Sequence, residues 1–327
     1  MVRVVNLKKW FPVQKGFLEQ MLAGRTDYVR AVDGVSFEIR RGEVLGLAGE
    51  SGSGKTTIGR LVLRLLEPTD GKIFFDGQDI TDLQGEELRR LRSRMQVVFQ
   101  DPFASMNPRM RVGEQIAHPH KIHVTATPEE RRAVVEQMME HVGLTPARQI
   151  YDKYPHQLSG GQRQRAVLAR ALVTHPDLVV ADEPIAMADV SVRALLLDLM
   201  VRLKEEFNLT YLFITHDLAT AKYICDRIGI LYLGRMAEIG SLKDVYRTPI
   251  HPYTRALLEA VPVPDPKYRR AVAMPKGEIP NPINPPSGCR FHPRCPFAQP
   301  DCSDAEPELR ELAPGHFVAC HYAEKFV

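Results

Sequence analysis

One eight-residue segment, Gly49-Glu50-Ser51-Gly52-Ser53-Gly54-Lys55-Thr56, limits the fold more than any other part of the chain. It fits the pattern G-x-x-x-x-G-K-[ST]. The apolar stretch Val44-Leu45-Gly46-Leu47-Ala48 precedes it and a helix-favouring run from Thr57 to Leu66 follows, so the context is a strand, a phosphate-binding loop and a helix. Glycines at 49, 52 and 54 let successive backbone N–H groups turn toward an anion, and the helix adds its positive N-terminal end. Ser51, Ser53 and Thr57 line the same turn. Lys55 is expected to reach the β- and γ-phosphates of a nucleoside triphosphate, and the Thr56 hydroxyl to bind Mg²⁺.

Three further strand ends carry polar groups suited to hydrolysis. Leu178-Val179-Val180-Ala181 is a short continuous apolar run that ends in Asp182-Glu183-Pro184, as expected of a buried parallel strand opening into a crevice. Two adjacent acids there are costly without a cation. Asp182 fits a direct or outer ligand of Mg²⁺, and Glu183 the base that polarises the attacking water. Tyr211-Leu212-Phe213-Ile214 runs into Thr215-His216, which puts His216 on the same sheet edge, and the strand from Met95 to Phe99 ends at Gln100, a ligand for Mg²⁺ or for the water. Leu158-Ser159-Gly160-Gly161-Gln162 opens a helical stretch from Arg163 to Val173, a second helix N-terminus able to face a phosphate. One ATP cannot lie at both ends within one domain. The segment is therefore expected to close over the γ-phosphate held by a second, head-to-tail cassette.

Taken in this order, these segments resemble the ATP-binding-cassette superfamily over roughly residues 3 to 250. Within it the chain looks like the F-type ATPase subunit of dipeptide and oligopeptide importers, on the segments Gln100-Asp101-Pro102-Phe103-Ala104-Ser105-Met106-Asn107-Pro108, His251-Pro252-Tyr253-Thr254-Arg255-Ala256-Leu257-Leu258 and Asn284-Pro285-Pro286-Ser287-Gly288-Cys289. The resemblance implies a P-loop α/β fold with a largely parallel sheet and a helical subdomain at about 101–165 that receives a helix of a membrane-spanning partner. It also implies a heterodimer with a second ATPase subunit, two permease subunits, an extracytoplasmic binding protein and a place at the cytoplasmic face of the membrane. An aromatic residue near the first strand stacks on adenine in such proteins. Tyr28 is the candidate, with Phe17 as the alternative. Asp189 corresponds to the residue that contacts the opposite subunit. The loop before it reads Ala186-Met187-Ala188 where the family usually has Ser-Ala-Leu, either neutral drift or a source of inequality between two ATP sites.

Composition bounds the remainder. The 327 residues, 44% hydrophobic and 25% charged, suffice for one large core and a small appendage, here an ATPase domain at 1–260 and an extension at 261–327 entered through Pro262, Pro264 and Pro266. No apolar run approaches a membrane span and no signal-peptide segment is visible. The net charge of +3 is dispersed, and the Arg-rich stretch from Leu88 to Arg94 reads as a solvated helix face, so no nucleic-acid partner is expected.

Four of five cysteines, Cys289, Cys295, Cys302 and Cys320, crowd into the Pro-rich C-terminus, with 5, 6 and 17 residues between them. These spacings match neither a zinc ribbon nor a ferredoxin run. A short segment without helix or strand periodicity has little core and needs a staple, and in a cytosolic ATPase that leaves a metal or a cluster. The family resemblance implies a four-cysteine [4Fe–4S] cluster, with Zn²⁺ as the alternative. His292, His316 and His321 are expected to be turn or outer residues, and Cys225 core. Two other functions fit the nucleotide motifs, a soluble non-transport ATPase and a metal-sensing regulator. A second cassette or a coiled-coil insertion would favour the former, and neither is visible.

Overall fold

Alternating buried and exposed side chains build the first sheet. In β1 (Val2–Pro12) the buried Val2 and Val4 lie opposite Phe75 and Ile73 of the antiparallel β4 (Asp70–Phe75), so one face of the pair is apolar. β2 (Tyr28–Ile39) flanks β1 and the short β5 (Gln78–Asp79) flanks β4, giving the order β2-β1-β4-β5. The computed structural model describes residues 1–13, 26–261 and 277–327. Phe17, Pro262, Pro264 and Pro266 lie outside the described residues.

The chain divides into two units, one drawing on residues 1–38, 45–81 and 215–327, the other on 39–44 and 82–214. In the first, β3 (Val44–Ala48) is buried at every position and pairs in parallel with β9 (Arg227–Tyr232). β9 turns back into the antiparallel β10 (Arg235–Ser241) through Leu233 and Gly234, both at positive φ, the geometry of a tight hairpin. Helix α1 (Lys55–Val62) follows β3, while α8 (Leu218–Ile224), α9 (Leu242–Arg247) and α10 (Pro252–Ala260) come later in the chain.

The C-terminal segment, read from sequence as free of strands, carries a hairpin. β11 (Arg310–Ala313) pairs with β12 (His316–Val318) across a turn at Gly315, and β12 adds antiparallel to β10, Val318 opposite Glu238. A buried polar contact ties that edge: His316 Nε2 lies 2.7 Å from Glu238 Oε1. Burial pushes the Glu238 carboxyl up, but hydrogen bonds from His316, Thr254 and the Ile250 and His251 N–H groups outweigh it and hold it below the usual range. Strands of three or four residues leave almost no periodicity to read, which is why the hairpin escapes sequence inspection.

The second unit contains β6 (Met95–Val98), β7 (Leu178–Asp182) and β8 (Thr210–Ile214), parallel and in that order; β7 and β8 are buried throughout, as their continuous apolar runs demand. Its helices are α2 (Gly85–Ser93), α3 (Val112–His123), α4 (Pro128–His141), α5 (Ala147–Tyr151), α6 (Gly160–Leu172) and α7 (Val190–Phe207). α4 starts at a strong local signal, with Thr127 and Glu130 in a reciprocal capping box and Pro128 in the first turn. α3 packs against α4, α5 and α6, and Val112 and Ile116 of α3 and Val135 and Met139 of α4 are buried. The Arg-rich α2 buries only Leu91 and pairs Arg89 with Glu86, the solvated face expected. Cys225 is buried at the end of α8, in the core as expected.

Candidate nucleotide site

The phosphate-binding loop lies in the first unit, between β3 and α1. Gly54 caps α1 at φ 103 without a side-chain capping hydrogen bond, and no acidic residue occupies the first turn to oppose an anion there. A Cβ at Gly54 would lie 2.3 Å from the Ala31 carbonyl oxygen; the close approach of β2 is what requires glycine. The loop is tied down along its length. Gly234 N–H donates to the Ser53 carbonyl (3.0 Å), and Ser53 N–H to the Glu50 carbonyl (3.2 Å). Lys55 is buried, and its Nζ donates to Gly49 O (2.8 Å), Glu50 O (2.9 Å) and Ser53 Oγ (3.3 Å). Ser51 and Gly52 are exposed, and Thr56 and Thr57 are half-buried at the start of α1.

Glu50 is a residue that motif reading passes over. Its N–H donates to Tyr253 Oη of α10 (2.9 Å), and both its carboxylate oxygens accept from Arg294, at 2.7 and 3.0 Å. An acid inside an anion-binding loop is itself the sequence signal that a cation must stand nearby. Which cation is not legible, because Arg294 is 244 residues away. The same unit carries Tyr28, exposed on β2 and 6.4 Å between ring centroids from Trp10, and His216, exposed in the turn between β8 and α8, where Asp217 caps the helix.

The remaining predicted residues belong to the second unit. Gln100 Nε2 donates to Glu183 Oε2 at 2.8 Å, so two residues picked from separate strand ends meet. Asp182 is buried at the end of β7, and Glu183 follows in the left-handed region (φ 47), with its N–H donating to Ile214 O. A non-glycine residue held there costs on the order of 1–3 kcal/mol, which the surrounding strands must over-determine. α6 begins at Gly160, three residues before the expected Arg163. Ser159 Oγ accepts from Gln162 N–H while Gln162 Oε1 accepts from Ser159 N–H, a capping box that leaves Gly160 exposed and no acid in the first turn. A Cβ at Gly161 would meet Val192 at 3.3 Å. Asp189 precedes α7, exposed, without a side-chain capping bond.

Cys289, Cys295, Cys302 and Cys320 line one cavity of about 20 Å³, with Phe291 and Phe297 in its wall. All four are free thiols. Burial, with the neighbouring thiols adding to it, pushes Cys289 up to about 12 and Cys295 up to about 11; burial also raises Cys320. Among the described residues, however, no three or more His, Cys, Asp or Glu side chains are grouped so as to hold a metal ion. What the structure itself shows is four free thiols lining one cavity; the [4Fe–4S] cluster and its zinc alternative stay expectations from the sequence. His292 and His321 bond to backbone carbonyls, as turn residues do. No helix of the described residues is long and apolar enough to cross a membrane.

Known proteins are similar to this chain in sequence and in fold. The ABC transporter family model matches residues 32–186, and the model of the oligopeptide/dipeptide transporter C-terminal region matches residues 237–302. The oligopeptide transport ATP-binding protein AppF of Bacillus subtilis is 49% identical over 97% of this chain and 95% of its own. The dipeptide transport ATP-binding protein DppF of Haemophilus influenzae is 44% identical over 99% of this chain and 97% of its own. Among solved structures, the ATP-binding cassette MJ0796, a dimer in a post-hydrolysis state bound to ADP and Pi, superposes with a TM-score of 0.63 at 29% identity, covering 74% of this chain and 99% of that one. With a P-loop α/β fold, the cassette model matched and the C-terminal region beside it, the chain belongs to the ATP-binding-cassette ATPases of the oligopeptide/dipeptide transporter family.

Proposed function

We propose that this ATPase energises import of peptides, as a peripheral subunit at the cytoplasmic face of a membrane. It works with a second cassette subunit in a heterodimer, two permease subunits and an extracytoplasmic binding protein. The observation that carries this reading is the union, on one chain, of a cassette with the C-terminal region of oligopeptide/dipeptide transporters, matched nearly end to end by relatives named for oligopeptide and dipeptide transport. In this reading the ATPase domain runs to about residue 260, with the helical subdomain at about 101–165 meeting the permease, and the extension begins at 261.

The loop from Gly49 to Thr57 cradles the phosphates, Lys55 exchanging its carbonyl partners for phosphate oxygens, and Tyr28 stacks on adenine. Thr56, Gln100 and Asp182 carry oxygen donors of the type Mg²⁺ prefers, and the ion when bound would neutralise phosphate charge. Glu183, oriented by Gln100, accepts the proton of the attacking water as its oxygen bonds to the γ-phosphorus and the bond to ADP breaks. His216 holds the γ-phosphate side. Ser159, Gly160, Gly161 and Gln162 of one subunit, with Asp189, complete the site of the other. ATP binding thus favours the closed pair, because only that state makes these contacts.

The four C-terminal thiols suit a soft metal by donor type, and a bound metal would favour the thiolate form against the burial that raises Cys289, Cys295 and Cys320. We extend the proposal to a thiophilic group there, [4Fe–4S] or Zn²⁺, held by Cys289, Cys295, Cys302 and Cys320. The transport reading is tested by affinity purification from gently solubilised membranes of the host. Two permease subunits and a second cassette protein should come with the chain; recovery from the soluble fraction alone would overturn it.

A further inference from the structure

A side chain of the cysteine module reaches the nucleotide loop. Arg294 sits in the short turn His292–Arg294, immediately before Cys295. Its guanidinium grips Glu50 with both NH groups and donates to Tyr232 Oη (3.3 Å), stacked over that ring at 5.7 Å. The Arg294 side chain is 9% exposed and that of Glu50 27%, so the pair is largely withdrawn from water. Tyr232, Tyr253 and Phe291 pack edge-on around it, with centroids 4.7 to 5.3 Å apart. A second arginine of the module, Arg290, next to Cys289, pairs with the buried Asp33 and donates to Leu233 O, beside the Gly234 that holds Ser53. Every polar group of Glu50 is committed: its N–H to Tyr253, its carbonyl to Lys55 and Ser53, its carboxylate to Arg294.

Burying an ion pair adds little net stability, because desolvation offsets the attraction. Its value here is positional and electrostatic. Glu50 places a negative charge inside a loop that must receive a polyphosphate, and the bidentate fork both cancels that charge and fixes the peptide whose carbonyl receives Lys55. We infer that Arg294 is a positioning residue for nucleotide binding, neutralising and orienting Glu50, so that the C-terminal module sets the affinity of the phosphate-binding loop. This rests on the ATPase reading and goes beyond it by giving the extension a task at the site.

The test is equilibrium binding of MgATP and of adenosine to the full chain. Arg294→Gln exposes the phosphates to an uncompensated carboxylate, and MgATP should bind about tenfold or more weakly, the scale of one unpaired charge in a partly buried site, while adenosine binding stays within about threefold. Adding Glu50→Gln should restore MgATP binding to within about threefold of the parent. A loss that the double variant does not restore makes Arg294 a structural prop of the module and overturns the inference, as does unchanged affinity in the single variant. Should Arg294→Gln fail to fold, Glu50→Gln alone decides, since it leaves the Arg294 cation uncancelled beside the loop: MgATP binding tighter than the parent by about threefold or more supports the inference, and equal or weaker binding overturns it. Absence of MgATP binding in the parent would instead indict the nucleotide site itself.

Discussion

Acidification probes how α10, which carries Tyr253 to the nucleotide loop, is seated. His251 is buried, and its Nδ1 accepts the Tyr253 N–H at 3.0 Å as the cap of that helix. Burial pushes its pKa from 6.5 down to about 4, against the opposing pull of Glu238 and the Ala319 backbone. The ring is thus neutral when folded, whereas in the unfolded chain it takes up a proton near its ordinary pKa. Its contribution is fully present above the unfolded value and is lost as pH falls toward the folded one. Between about pH 7.5 and about pH 5 that loss amounts to about 2 kcal/mol from this residue alone. Asparagine caps a helix but does not titrate, so His251→Asn should flatten the pH dependence by the same amount whatever its effect at neutral pH. Equilibrium urea unfolding followed by Trp10, the one tryptophan and a member of the same unit, measures both proteins across the range. Parallel profiles agreeing within about 0.5 kcal/mol would refute the burial argument.

Other outcomes follow from the same geometry. Glu183→Gln should keep nucleotide binding and lower phosphate release in the assembled complex by about 10² or more, the usual effect of losing a general base, and full activity would remove Glu183 from that role. His316→Ala removes one of the hydrogen-bond partners of the Glu238 carboxylate, which is 0% exposed, and should cost about 1–3 kcal/mol in urea unfolding; a change under about 0.5 kcal/mol would mean the pair is not what seats β12 on β10. Anaerobically purified protein should contain iron and acid-labile sulfide, or zinc, and lose it in Cys302→Ser. Full-length protein with neither metal would leave four reduced thiols in that cavity.

Much of the site was legible because its determinants are local. A phosphate loop needs glycine where β2 presses on it, and the buried strands ending at Asp182 and Ile214 declare themselves by unbroken apolar runs. Element ends were less legible. α1 stops at Val62 rather than continuing to Leu66, because Arg64 turns to φ 53 and sends its Nε to the Ile80 carbonyl, a partner sixteen residues on. α6 starts early because Ser159 and Gln162 cap each other.

By itself the sequence determined the motifs, the buried strands and the crowding of cysteines, since glycine conformation, apolar runs and capping act within a few residues. Only the tertiary structure decided that Arg294 answers Glu50, that His316 answers Glu238 and that four thiols share one cavity. Charges and short strands choose their partners by burial and proximity in space, and nothing in their immediate neighbours along the chain specifies which ones those are.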